Sequence, residues 1–173
     1  MSETPELMAL TSIESLYAGL SIAQERLWVF EKLFPRTCVN NHAVLVSIQG
    51  FLNLSLFQSS LDTMLRRQPD IGSVVVTGEN DDPRMVPSSA SIVAELCYPT
   101  GAPGTDPAES ALQIATEKCR QPFDLSSGLL LRVFVFPISP EKHLLLFIWH
   151  GILMDEESGN LLVKQIVTEC GHL

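Results

Sequence analysis

The sequence predicts a single α/β domain, with helices packed on a mixed sheet in the element order αβαββαββα. Three observations carry this expectation. Apolar residues recur at helical spacing in several capped segments, and short β-branched or aromatic runs alternate with them. The composition is globular, with 46% hydrophobic and 18% charged residues. A chain of 173 residues is also long enough to bury a real core, roughly 70% of its unfolded surface.

Residues 1 to 19 read as an N-terminal extension in which Thr4-Pro5-Glu6-Leu7 can open a short helix that Gly19 closes. Residues 20 to 173 read as one domain, with no internal repeat or linker. Ser21-Ile22-Ala23-Gln24 has the form of a capping box, and Ala23, Leu27, Phe30 and Phe34 follow at helical spacing up to Pro35. The run from His42 to Gly50 is a strand. Asn53 can cap the next helix, whose Leu54, Phe57, Leu61, Met64 and Leu65 form one stripe that stops near Pro69. Ser73 to Thr77 is a second strand, followed by a turn from Gly78 to Pro83, an extended piece at Arg84 to Val86 and another at Ile92 to Leu96. Asp106-Pro107-Ala108-Glu109 starts a helix that runs to about Arg120. Leu129 to Phe136 and His143 to Trp149 are two strands, joined across Pro137 to Lys142 by a hairpin with a wide loop. The final helix spans about Glu157 to Cys170 and ends at Gly171.

Charge narrows the function classes. Eleven basic and 20 acidic residues give a net charge of −9, which disfavours nucleic acid and an anionic membrane surface as partners. The apolar run from Leu144 to Trp149 is far short of the roughly 20 residues a membrane helix needs. The acidic start, Met1-Ser2-Glu3-Thr4-Pro5-Glu6, does not have the form of a signal peptide, so a cytoplasmic protein is expected. Cys38, Cys97, Cys119 and Cys170 are widely spaced without a CxxC pair and read as free thiols, with no metal and no cofactor expected.

Four segments then fall in a telling order. They are Ser21 to Trp28 (SIAQERLW), Arg67 to Val75 (RQPDIGSVV), Gln121 to Arg132 (QPFDLSSGLLLR) and His143 to Ser158 (HLLLFIWHGILMDEES). Together they resemble the condensation domains of nonribosomal peptide synthetases, whose motifs read SxAQxRLW, RHExLRTxF, PFDLxxGPLLR and HHxxxDGxS. The resemblance spans nearly the whole chain, with Leu129 where that family usually has proline. It implies a single chloramphenicol acetyltransferase-like lobe, the N-terminal half of a two-lobed domain. In that family two carrier-protein-bound acyl groups meet in a tunnel between the lobes. Because the sequence stops at Leu173, the second lobe is expected to be missing.

The resemblance also marks departures at the motif. The family's second histidine is placed to handle a proton as an amine attacks a thioester, and Gly151 stands there. His150 retains the first histidine, but neighbouring strand positions face opposite ways, so only a bulge would re-aim it. Asp155 keeps the motif aspartate, Glu156 replaces the glycine after it, and Gly72 replaces the arginine that anchors this aspartate in the family. The motif at His150, Gly151, Asp155 and Ser158 is therefore read as degenerate, with no catalytic residue expected.

Several readings stay open beside this one. His150 is either a hydrogen-bonded core histidine or a relocated base. Asp155, Glu156 and Glu157 either favour a helix N-terminus or bind a hard cation. Ser158 is the one plausible hydroxyl nucleophile near the motif, with no histidine base placed by spacing. His150 to Ser158 lacks the first aspartate of a cyclisation DxxxxDxxS motif. Arg66 and Arg67 either complement a helix C-terminus or touch an acidic carrier protein, and Trp28 and Trp149 are read as core. The function expected is a noncatalytic interaction or recruitment module of nonribosomal peptide or hybrid polyketide assembly. Its partner would be a synthetase domain, a carrier protein, a tailoring enzyme or a second copy. The alternative is an enzyme: half of a split acyltransferase, or an oligomer with altered chemistry at His150 and Asp155.

Overall fold

A computed structural model of the chain describes residues 19–78, 81–100 and 104–171. The helix expected within the first 19 residues lies outside these, apart from Gly19, which bridges to Arg84. In chain order the elements are α1 (Ile22–Leu33), β1 (Asn41–Gln49), α2 (Leu54–Arg67), a 3-10 turn (Pro69–Gly72), β2 (Ser73–Thr77) and β3 (Pro83–Pro87). They continue with β4 (Ala94–Leu96), α3 (Pro107–Cys119), β5 (Leu131–Ser139), β6 (Lys142–His150) and α4 (Glu156–Gly171). The main sheet has the order β1-β6-β5-β4 and is mixed, because β4 runs parallel to β5 while the other pairs are antiparallel. β2 and β3 form a separate antiparallel ribbon.

The helices start where the sequence supplies a cap. The Ser21 hydroxyl accepts the Gln24 N–H while the Gln24 side chain accepts the Ser21 N–H, closing the capping box of α1. Asn53 Oδ1 accepts from Ser55 and Leu56 at the head of α2, and Asp106 accepts from Ala108 at the head of α3.

The core has two layers, one on each face of the sheet. β6 feeds both: Leu145, Phe147 and Trp149 pack with α2 and α4, whereas Leu144, Leu146 and Ile148 pack on the α3 side. β5 alternates in the same way, with Val133 and Val135 on the first face and Phe134 and Phe136 on the second. Both strands are covered on both sides, which explains why they read as continuous apolar runs rather than as alternating ones.

Three expectations need correction. The hairpin is tight, not wide: β5 continues through Pro137 to Ser139, β6 begins at Lys142, and a bulge lies between Pro137 and Ser139. A bulge tolerates a proline inside a strand, so Pro137, which suggested a loop, sits within the ladder. The stripe on α1 is only partly covered: Leu27 and Trp28 pack half-buried against the second core layer, but α1 contains no fully buried residue and Phe34 is 57% exposed. α1 is also fixed at polar positions, as described below. Trp149 is core, and Trp28 is so only in part: it packs half-buried against the second core layer and also borders a cavity.

Gly159, in α4, permits the closest approach of helix to sheet, because a Cβ there would run into the indole of Trp149. Gly159→Ala is therefore expected to destabilise the fold by about 1–3 kcal/mol in urea denaturation, although helix propensity alone would favour alanine by ~1 kcal/mol. An unchanged or higher stability would show that α4 does not seat on Trp149 this closely.

Candidate functional site

The end of β6 directs two consecutive residues to opposite faces of the sheet. The His150 N–H donates to Leu130 O at 3.0 Å, and the Gly151 N–H donates to Asn40 O at 2.8 Å. On the α1 side the His150 imidazole is 1% exposed. Its Nδ1 accepts the Ile152 N–H at 3.1 Å, which leaves the proton on Nε2, 3.2 Å from Glu31 Oε1. Burial pushes its pKa down, outweighing the Glu31 carboxylate that acts to raise it, so the ring stays neutral. The Phe123 ring meets the imidazole edge-on at 6.1 Å. His150 is thus a fully bonded core histidine, and no bulge turns it outward.

Glu31 joins α1 to this assembly. Its Oε1 also accepts Asn40 Nδ2 at 2.8 Å, and Gln24 Nε2 donates to Ile152 O at 3.0 Å. Polar contacts of this kind add to the partial packing of Leu27 and Trp28 in holding α1.

On the other face, Gly151 has no side chain, and the space beside it holds an imidazole from a different strand. A Cβ at Gly151 would stand 3.1 Å from His42 Nε2. His42 lies on β1 opposite Trp149, and the two rings stack at 5.7 Å with an interplanar angle of 21°. Sequence reading misses His42, because only the β1–β6 register brings it to the motif.

The rest of the motif is occupied structurally. Asp155 Oδ1 accepts the Ser158 N–H at 2.8 Å and caps α4, with Glu156 and Glu157 in the first turn. The Ser158 backbone and hydroxyl hold this exposed carboxyl below the usual carboxylate range, and nearby His42 acts in the same direction. Ser158 therefore bonds to a carboxylate, not to a histidine base. Among the described residues no group of three or more His, Cys, Asp or Glu side chains could hold a metal ion. Gly72 is buried and offers no anchor for Asp155, and a cavity of about 160 Å³ separates Asp70 and Ile71 from Met154 and Ser158.

The Pro122 to Arg132 segment folds around its own polar groups. Asp124 accepts from the Ser126 N–H and from the hydroxyls of Ser126 and Ser127, which lower its carboxyl to about 2. Arg132 donates to the carbonyls of Gln121 and Pro122, with its guanidinium 4.0 Å above the Phe123 ring. Arg67 pairs with Glu169 at 3.1 Å, and Arg66 donates to Thr63, so both are used locally. Cys38, Cys97 and Cys119 are free and half-buried, and burial pushes the thiols of Cys97 and Cys119 up. Among the described residues no helix is long and apolar enough to cross a membrane.

Comparison with known proteins bears on the family and the fold. Residues 15–173 match the family model described as condensation domain. The chain is 24% identical over 147 residues to malpibaldin synthetase of Mortierella alpina, covering 85% of the chain and 3% of that protein. It is 25% identical over 150 residues to surfactin synthase subunit 2 of Bacillus subtilis, covering 85% of the chain and 4% of that protein. The starter condensation domain of rhizomide synthetase superposes with a TM-score of 0.82 at 21% identity, covering 90% of this chain and 35% of that one. The chain thus spans about a third of that solved domain and a small part of the curated synthetases.

The burial of neutral His150 has a pH consequence. Its folded pKa lies below the ordinary 6.5, so the unfolded chain takes up a proton first as the pH falls, and stability is lost from about pH 6.5 downward. The lowered carboxyls of Asp124 and Asp155 act only below about pH 4, outside that window. Thermal melts between about pH 7.5 and pH 5 should therefore show the advantage of wild type over His150→Gln narrowing as the pH falls. Parallel curves would contradict a neutral, buried imidazole.

Proposed function

The chain belongs to the condensation-domain family, and from that premise we propose that it serves nonribosomal peptide or hybrid polyketide assembly in the cytoplasm as a noncatalytic lobe that holds a partner. One observation carries this reading. The position at which the family motif has its second histidine is Gly151, and the remaining motif imidazole, His150, is buried and fully bonded. Neither can take a proton from an attacking amine.

Exposed apolar side chains support the binding role. Ile22, Val29, Leu33 and Phe34 of α1 and its C-cap stand in solvent with nearby Val39, and concentrations of apolar surface mark partner sites. A synthetase domain, a carrier protein, a tailoring enzyme or a second copy could cover them. With a net charge of −9, contact with an acidic carrier protein needs local rather than long-range complementarity.

His42 favours a second reading, in which the lobe is part of an enzyme. Its Nε2 stands 3.1 Å from where a Cβ at residue 151 would lie, close enough to Asp155 to act on its charge. In this reading an amine nitrogen attacks the thioester carbon, the carbon–sulfur bond breaks, and the imidazole carries the amine's proton to the departing thiolate. His42 rather than His150 would be the acting group, whether in a split acyltransferase or in an oligomer.

Mixing the protein with carrier-bound donor and acceptor groups and following amide formation by mass spectrometry separates the two readings. The noncatalytic reading expects no product above the protein-free control, together with a rise in light-scattering mass when synthetase proteins are added. Product that forms with wild type and His150→Gln but is lost with His42→Ala would overturn it in favour of the second.

A further inference from the structure

A strand at the edge of a sheet carries a row of unpaired main-chain groups, which proteins normally blunt with charge, proline, a bulge or shortness. Most edges in this fold are treated in that way. β4 is three residues long and sets Glu95 against Lys118 at 2.7 Å. β3 carries Pro83 and Pro87, and β2 gives its Val75 N–H to Leu125 O. β1, the other edge of the main sheet, runs for nine residues (NHAVLVSIQ) without Asp, Glu, Lys, Arg or Pro and keeps one unbroken register with β6.

The ladder determines which groups of β1 stay open. Gly151 N–H donates to Asn40 O and Gly50 N–H donates to Glu141 O, so the even-numbered residues between them bond to β6 and the odd-numbered ones turn N–H and C=O outward. Cys38 O takes the Asn41 N–H. The outward groups of Ala43, Leu45, Ser47 and Gln49 meet no partner among the described residues, and all four side chains are exposed.

We propose that β1 pairs antiparallel with β1 of a second copy about a two-fold axis at Leu45, joining two four-stranded sheets into one. The strand is close to self-complementary about that axis. Leu45 meets Leu45 of the second copy, Val44 meets Val46, Ala43 meets Ser47 and Asn41 meets Gln49, so no like charges face each other. The pairing forms about eight main-chain hydrogen bonds, near the number a typical interface carries. Charge is complementary at the two ends. Exposed Arg120 lies between the residues whose carbonyls hold the Asn41 side chain, and the axis brings that end toward the end of the second copy where exposed Glu141 adjoins Gly50. The long-range repulsion of two chains at −9 each is screened by salt, so association strengthens as ionic strength rises. The interface uses main-chain groups of β1, not the apolar side chains of α1, and does not rest on the recruitment reading.

Sedimentation equilibrium of the full chain from micromolar to near-millimolar concentration tests it. Wild type should form a dimer, and hydrogen exchange at the Ala43, Leu45 and Ser47 amides should slow as the concentration rises. Leu45→Lys and Leu45→Glu, at a side chain already 39% exposed, should each keep the fold, read by circular dichroism. Each should weaken self-association roughly tenfold or more, because like charges then face each other across the axis. An equimolar mixture of the two variants should recover a heterodimer in native mass spectrometry. A wild type that stays monomeric, a dimer indifferent to both substitutions, or a mixture that does not recombine would overturn the proposal. So would protection of those amides that is independent of concentration, since β1 would then be covered within one chain. None of these outcomes bears on amide formation or on the binding of synthetase proteins at α1.

Discussion

Burial of β6 on both faces is the constraint from which the rest of the structure follows. Its side chains alternate between two core layers, and β1 and β5 pair with it on either side. A shift of one residue would exchange the two layers, so the hydrophobic pattern fixes the register firmly. That register puts His150 and Gly151 on opposite faces and His42 opposite Trp149. The apparent loss of a motif residue is thus a question about what stands near Gly151, not only about Gly151 itself.

α1 shows a different kind of stabilisation. Ile22, Val29 and Leu33 stand in solvent, Leu27 and Trp28 are only half-buried, and its position rests also on Gln24 bonding to Ile152 O and on Glu31 bonding to His150 and Asn40. Charge-assisted bonds in a partly dry setting are stronger than neutral ones, and they are directional. They set α1 at a defined distance from the end of β6. A cavity bordered by Trp28 and Phe123 remains beside these contacts.

Local chemistry makes much of this fold legible in the sequence. The caps at Ser21, Asn53 and Asp106 depend on residues a few positions apart, and all three are readable. The four motif segments supply the family and the layered architecture, which the family match and the superposition bear out. The hairpin is misjudged from sequence because Pro137 and Pro140 look like loop residues until the bulge is seen. The exposure of α1 is hidden because periodicity reports an apolar stripe but not whether anything covers it. Burial of His150 is one of two readings the sequence leaves open, and Glu31, its partner, gives no signal there. His42 is invisible for the same physical reason: cross-strand neighbours are set by register over long sequence separation.

Gly151 and His42 are best understood together. A Cβ at residue 151 would approach His42 Nε2 at 3.1 Å and Asn40 O at 3.4 Å, closer than most side chains tolerate. A side chain at 151 therefore requires the His42 imidazole to shift by a few tenths of an ångström. Gly151 leaves room for the stacked His42–Trp149 pair without any such shift. Across the sheet, His150 is locked to Glu31, so the two histidines at this strand end answer to separate surroundings. The backbone from His150 to Ile152 is their direct covalent link. The Ile152 N–H donates to His150 and its carbonyl accepts from Gln24, so α1 and this imidazole hold the same turn that positions Gly151.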